Sequence, residues 1–221
     1  MDGQEQDLLR RVQHAASRVK LFPLPETALF PNHGLPLHVF ETRYRELTHD
    51  ALAGDGVLAI PQINPDQMRG APSLLSILGI GVVAEHQELP DGKFNLIVRG
   101  VARARLLREL PSAHSYREAE IEILSEDLSG VTDKDASALS ACLVELGRQL
   151  SPETQVALAQ LAALRAEPGR LADLSAAALL TPALHQRVLA ELNVKKRLAF
   201  VTDQVAELLL ATKSPPDKLP N

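Results

Sequence analysis

The spacing of the apolar residues changes near residue 125, and this change constrains the fold more than any other feature of the sequence. From residue 21 to 125 short apolar runs alternate with Pro, Gly and Asn, a pattern typical of strands joined by tight turns. From about residue 133 leucines recur every three or four positions, as they do along one face of a helix. The sequence therefore predicts an α+β fold, in which a strand-built part is followed by a helical part.

The apolar runs of the first part predict short strands with a single helix, at residues 41–52, among them. The predicted strands are 27–30, 35–40, 57–60, 78–85, 94–98, 101–107 and 119–124. Asp91 and Gly92 predict the turn of a hairpin, and Gly100 predicts a bulge. Because the strands are short and have Pro and Gly at their corners, we expect a closed or nearly closed barrel over residues 21–125.

The second part, residues 126–212, is predicted to be a helical subdomain. Its first helix has an apolar stripe, formed by Leu139, Leu143, Leu146 and Leu150. Further helices are predicted to start where an N-cap residue precedes a proline or a new apolar stripe, at Ser151, Thr181 and Asn193. Residues 1–20 predict an amphipathic helical extension, and residues 213–221 predict a disordered tail.

Composition and charge narrow the classes of function. The 221 residues carry a formal net charge of −5, which argues against nonspecific binding to nucleic acid. Cys142 is the only cysteine, so no intrachain disulfide can form and the cytoplasm is the expected location. No apolar run approaches the roughly 20 residues that a membrane-spanning helix needs, so no membrane partner is expected.

Three segments carry a resemblance to a known family. The first, at residues 21–47, reads LFPLPETALFPNHGLPLHVFETRYREL. The second runs from GIGVVA, which starts at residue 79, through the hairpin to FNLIVRGVARARL. The third joins LADLSAA, which starts at residue 171, to LHQRVLAELNVKKRL. In this order they resemble the N-terminal, substrate-recognition domain of the Lon proteases, which implies a PUA-like pseudo-β-barrel followed by an α-helical bundle.

The resemblance implies a binding function, since this domain of full-length Lon proteins helps to recognise unfolded or damaged polypeptides. The 221 residues contain no GxxxxGK[ST] phosphate-binding loop, and the resemblance reaches neither the ATPase domain nor the Ser-Lys peptidase domain. We therefore expect a stand-alone, non-catalytic module without a cofactor. It would act as an adaptor, a holdase-like binder or a regulator of proteolysis. Its expected partners are unfolded or specific client polypeptides, with a protease or chaperone beside them.

The candidate polypeptide-binding surface lies in the first of these segments. It comprises Phe30, Leu35, Phe40, Glu41, Arg43 and Tyr44. If its apolar and aromatic side chains stay exposed, they form a groove for an extended polypeptide. The alternative is that Tyr44 and the other apolar members belong to the core, while the charges of Glu41 and Arg43 tie a helix to the barrel.

A basic patch is the second candidate. Arg99, Arg103 and Arg105 fall on one side of a strand. They can pair across neighbouring strands with a row of glutamates, at about 0.2–1 kcal/mol for each pair; the row is Glu118, Glu120 and Glu122. Unpaired, the arginines would line a groove for an acidic partner, so RNA binding through the barrel is the alternative function.

Two further groups of polar residues are expected to have structural roles. The seven histidines form no HExxH motif, so no metal site is predicted, and His38 is expected to lie in the sheet beside a hydrogen-bond partner. The basic run 195–197 follows the cap Asn193, where positive charge opposes the helix dipole. We expect nearby acids such as Glu191 to balance it, and a contact with a partner is the alternative.

Overall fold

One long strand organises the first part of the chain. In this computed structural model, which describes residues 3–66 and 72–213, β5 (Phe94–Leu110) pairs with three other strands. These are β2 (Gly34–Val39), β4 (Ile77–Glu88) and β6 (Arg117–Leu124). Two shorter strands, β1 (Val19–Leu21) and β3 (Val57–Ile60), connect β6 to β4.

These pairings close the sheet on itself. Following hydrogen-bonded neighbours from β5 through β4, β3, β1 and β6 leads back to β5, so five strands form a barrel. All pairs are antiparallel except β1 with β3. β2 lies outside this ring and has only β5 as a partner among the described residues, which makes it an edge strand. The position of Pro36 in β2 fits this, because proline has no N–H to donate to a ladder.

The predicted hairpin and bulge are both confirmed. Gly92 has a φ of +73°, a left-handed conformation that glycine adopts without strain, and the Leu89 N–H donates to the Lys93 carbonyl across the turn. Further along, Gly81 pairs with Gly100 while Ile80 pairs with Ala102. One extra residue therefore lies in β5 directly after Gly100, and the sheet bends there.

The strand predicted at residues 27–30 is wrong. Its backbone crosses glycines of the sheet at very short range: a Cβ on Gly79 would lie 1.9 Å from the Leu29 carbonyl oxygen, and one on Gly100 would lie 2.0 Å from that of Phe30. The Asn32 N–H donates to the Gly100 carbonyl at 2.9 Å. The segment is therefore held by this close crossing, which only residues without a side chain permit.

Two helices pack on the strands. α1 (Gly3–Ala15) ends earlier than the predicted helix at residues 1–20, because residues from Val19 onward join the sheet as β1. α2 (Thr42–Ala53) buries Tyr44, Leu47 and Ala51, the face that the sequence predicts, and is followed by Gly54. The cores beneath the two helices consist mainly of aliphatic side chains from β1, β3, β4 and β5.

The rest of the chain is helical. Its helices are α3 (Asp133–Gly147), α4 (Pro152–Ala162), α5 (Pro168–Leu179), α6 (Pro182–Ala190) and α7 (Val194–Lys213), with a 3-10 turn at Ala163–Ala166. Ser151 caps α4 as predicted, since its hydroxyl accepts from the Thr154 N–H. Asn193 caps α7 in the same way, accepting from the Lys196 N–H at 3.0 Å. No helix in the described ranges is long and apolar enough to cross a membrane.

By its internal contacts the chain forms two units. The strand unit comprises Met1–Ser125 together with Pro182–Ala190, and the helical unit comprises Glu126–Thr181 together with Glu191–Asn221. The predicted ranges 21–125 and 126–212 differ from this in α6, which groups with the strand unit. Residues 214–221 of the predicted tail, and residues 67–71, lie outside the described residues.

Candidate functional site

The six residues of the candidate polypeptide-binding surface divide into buried and exposed ones. Phe30 is fully buried, with its ring edge-on to that of His185, and Tyr44 is buried against Phe22 with ring centroids 4.2 Å apart. Leu35 is half-buried, whereas Glu41 and Arg43 are exposed. Phe40 is 60% exposed. Phe30 is thus a core residue, and Phe40 is the aromatic side chain of this set that the structure presents to solvent.

A groove lies on the strand unit beside the edge strand. We call it the edge groove; it has a volume of about 470 Å³. It is lined by Pro36, Leu37, His38, Glu85, His86, Gln87, Asn95, Leu96 and Ile97. His38 Nδ1 lies 2.8 Å from the Asn95 side-chain oxygen, which provides the predicted partner and fixes the imidazole. The Phe40 ring lies beside His38, with centroids 6.2 Å apart, at the end of β2.

A second concave surface, the tyrosine pocket, lies where α2 meets β6. Its volume is about 310 Å³, and it is lined by Pro23, Arg43, Tyr44, Ile63, Pro72, Ser115, Tyr116 and Arg117. Along the chain, Phe40 and Glu41 connect the residues of the edge groove to those of this pocket. Both volumes fall in or near the size range of ordinary ligand sites.

Both arginines of the tyrosine pocket already have acidic partners. Arg43 pairs with Glu41 at 2.8 Å and lies over the Tyr44 ring, with its guanidinium carbon 4.5 Å from the centroid. Arg117 donates to both carboxylate oxygens of Glu109, and also to the Pro72 carbonyl at 2.9 Å. With these charges balanced, the pocket suits an apolar or aromatic group better than a free anion.

The two tyrosines remain neutral. Burial raises the pKa of Tyr44, an effect that the nearby Arg43 partly offsets. Burial also raises the pKa of Tyr116, and the hydrogen bond from its hydroxyl to Asp50 adds to this. Both phenols therefore keep their protons throughout the physiological range, so the two aromatic side chains add no charge to the pocket.

The three arginines of the predicted basic patch do not form one exposed surface. Arg103 is only 2% exposed, and its Nε donates to the Leu189 carbonyl of α6. Arg105 pairs with Glu122 at 2.7 Å, as the cross-strand interpretation predicts. Arg99 is half-buried and lies opposite Gly34 of β2. The other two glutamates bind different arginines: Glu120 pairs with Arg108 and Glu118 with Arg18.

Within the basic run at the start of α7, Arg197 is paired with acidic residues of its own unit. Arg197 is fully buried, lies 3.0 Å from an oxygen of Asp173 and also pairs with Glu126. Glu191, the acid expected to balance the run, contributes its backbone carbonyl to Arg197 at 2.9 Å. Asp173 and Glu126 were not predicted, because both are distant from Arg197 in the sequence.

Sequence reasoning also missed half of the tyrosine pocket. Ser115 and Tyr116 come from the connection before β6 and Arg117 is its first residue, about seventy positions from Arg43 and Tyr44. One sequence feature could have pointed to this pocket. The chain has only two tyrosines, and both line it.

Comparison with known proteins agrees with this architecture. A family model described as the ATP-dependent protease La (LON) substrate-binding domain matches residues 18–207. The chain is 31% identical over 189 residues to the Lon protease of Anaeromyxobacter dehalogenans, which covers 83% of this chain and 22% of the relative. It is 34% identical over 191 residues to Lon protease 4 of Sorangium cellulosum, covering 85% of this chain and 23% of the relative.

Solved structures show the same fold. The N-terminal domain of the Mycobacterium avium complex Lon protease superposes with a TM-score of 0.69 at 20% identity, covering 86% of this chain and 99% of that one. A Lon N-terminal domain protein from Xanthomonas campestris gives a TM-score of 0.55 at 24% identity, covering 90% and 99%. The chain therefore belongs to the Lon substrate-binding domain family, and it spans about a quarter of the length of the curated relatives it matches.

Proposed function

We propose that this chain is a non-catalytic polypeptide-binding module, and that the edge groove, Phe40 and the tyrosine pocket together form its binding surface. Membership of a substrate-binding domain family supports a polypeptide as the ligand. The observation that carries the choice of surface is the exposure of Phe40, which lies in the sequence between residues of the two concave sites. An aromatic side chain in such a position is a typical anchor of a protein interface.

The chemistry of the surface favours recognition through side chains. An extended polypeptide could lie along β2, which pairs only with β5 in the part of the chain that the structure describes, but Pro36 offers no N–H to an added strand. A continuous new ladder is therefore interrupted at its middle. The apolar parts of the groove and the aromatic walls of the pocket would instead accept apolar and aromatic side chains of the client, which folded proteins bury and unfolded ones expose.

This mode of binding needs no nucleotide. The module would act as an adaptor, a holdase-like binder or a regulator of proteolysis, handing clients to a protease or chaperone in the cytoplasm. The alternative is RNA binding through a PUA-like barrel. Its main support was an exposed row of arginines, but Arg103 is buried and Arg105 is paired with Glu122.

The test is a fluorescence anisotropy titration of a labelled, permanently unfolded polypeptide with this chain. The same polypeptide without the modification that keeps it unfolded, in its folded form, and a single-stranded RNA serve as controls. Saturable binding to the unfolded form alone supports the proposal. Binding to RNA alone would favour the alternative, and binding to none of the three would refute general recognition of unfolded chains.

A further inference from the structure

Two carboxylates and an imidazole meet on the strand unit, beside the tyrosine pocket. Glu46 and Asp50 are four residues apart in α2, so their side chains share one face of the helix. His114, from the connection between β5 and β6, faces them: its Nδ1 lies 3.2 Å from Glu46 Oε1 and 3.5 Å from Asp50 Oδ2. One ligand atom from each of the three residues lies within 4.8 Å of the others.

The two separations from His114 fit a single metal ion. Zinc binds histidine nitrogen and carboxylate oxygen at about 2.0–2.2 Å, so neighbouring ligands of a tetrahedral site lie about 3.3 Å apart. The two distances from His114 Nδ1 bracket this value.

A second layer of contacts already orients the three side chains. The Ser115 hydroxyl donates to Glu46 Oε2, which leaves Oε1 directed at His114. The Tyr116 hydroxyl donates to Asp50 Oδ2 at 2.7 Å. The His114 ring stacks on that of Tyr116, with centroids 4.7 Å apart and planes within 10° of parallel. Hydrogen bonds of this kind to the ligands are what protein metal sites use to fix ligand geometry.

We propose that Glu46, Asp50 and His114 bind a divalent transition-metal ion of the zinc class. Imidazole favours zinc and its transition-metal neighbours over magnesium and calcium, which prefer oxygen ligands alone. Three protein ligands leave a further position for water or for a group from a bound partner. The site lies outside the motifs that the sequence offers, because His114 is 68 residues from Glu46.

The proposed ion would also affect the tyrosine pocket. Ser115 and Tyr116 line that pocket and hold Glu46 and Asp50 at the same time. A metal ion would tie their connection to α2 and so fix one wall of the pocket. The metal site does not depend on polypeptide binding, since its ligands and its test concern the ion alone.

The test is isothermal titration calorimetry of the full chain with zinc chloride after treatment with a chelator. We expect one zinc ion per chain in the parent. The affinity should fall by more than about tenfold in His114→Ala and in Glu46→Gln, since even residues that only orient a ligand commonly contribute that much. His14→Ala is the matched control, because it removes an exposed imidazole of α1 far from the site in sequence, and it should bind zinc like the parent.

A second readout separates loss of the site from loss of the fold. Cobalt(II) at the same position should give visible absorption bands in the parent and in His14→Ala but not in Glu46→Gln, while far-UV circular dichroism confirms that all variants are folded. Magnesium should not displace the cobalt. The proposal is overturned if the parent binds no stoichiometric zinc, or if folded His114→Ala and Glu46→Gln bind it as the parent does.

Discussion

The strand unit and the helical unit each depend internally on a different kind of contact. In the strand unit, the backbone of residues 29–32 passes so close to Gly79 and Gly100 that no side chain fits between them. The helical unit adds a buried ion pair to its aliphatic core: Arg197 is fully buried beside Asp173, which is only 1% exposed. We therefore expect the strand unit not to tolerate an added side chain at Gly79 or Gly100. We expect the helical unit not to tolerate the loss of the buried charge of Arg197.

The largest effect is expected from removing the buried cation of the helical unit. Arg197→Met breaks the buried ion pair between Arg197 and Asp173, which should lower the free energy of unfolding by about 3–5 kcal/mol. Urea denaturation followed by circular dichroism measures this. Lys195→Met, an exposed change in the same turn, should stay within about 0.5 kcal/mol of the parent. Equal effects of the two substitutions would show that the buried pair is not central to this unit.

Added volume in the strand unit should have the next largest effect. Gly100→Ala places a Cβ about where the Phe30 carbonyl oxygen lies, so we expect a loss at or above the upper end of about 1–3 kcal/mol. Gly34→Ala is the matched control in the same sheet, since its Cβ would meet only Ile97 at an ordinary 3.4 Å. Thermal melts of the two variants compare them directly, and similar melting temperatures would argue against the close crossing.

A local contact of the helical unit should matter less. Ser151 caps α4, and its replacement by Ala should cost about 1 kcal/mol, whereas Ser151→Gly should cost only a few tenths. The difference arises because glycine leaves the orphan N–H groups open to water. If neither substitution has a measurable cost in urea denaturation, the hydroxyl does not act as a cap.

The smallest expected effect is a pH dependence from the strand unit. Burial lowers the pKa of His33 below its ordinary value of 6.5, and the neighbouring His185 adds to this. Below pH 6.5 the unfolded chain therefore takes up a proton that the folded chain resists, so stability falls as the pH drops toward the lowered pKa. His33→Asn should flatten this decline in denaturation curves measured from pH 7.5 to 5. An unchanged slope would show that His33 has no part in it.

The sequence predicts the helical unit and the strand unit with different success. In the helical unit, starts are marked by neighbours in the chain, and the Ser151-Pro152 pair predicted the beginning of α4 correctly. In the strand unit, β3 was predicted with its observed bounds, but the segment 27–30 was not, because a crossing over glycines depends on residues fifty to seventy positions away.

The candidate site shows the same limit. The sequence singled out Phe40, Glu41 and Arg43, all exposed in the structure, together with Phe30 and Tyr44, which are buried. A pattern of apolar residues cannot tell which of them the fold leaves uncovered. It also cannot show that Tyr116 and Arg117 join Arg43 in one pocket, since only the closure of the barrel brings β6 to α2.

The measurement that tests the central claim most directly compares how tightly an unfolded polypeptide binds to two variants of this chain, Phe40→Ser and Leu128→Ser. Both side chains are 60% exposed, but Phe40 lies in the sequence between residues of the two concave sites of the strand unit, and Leu128 belongs to the helical unit. We predict that Phe40→Ser weakens binding by about tenfold, which corresponds to about 1.4 kcal/mol, and that Leu128→Ser leaves it unchanged. Equal losses, or a loss only in Leu128→Ser, would contradict the assignment of the binding surface.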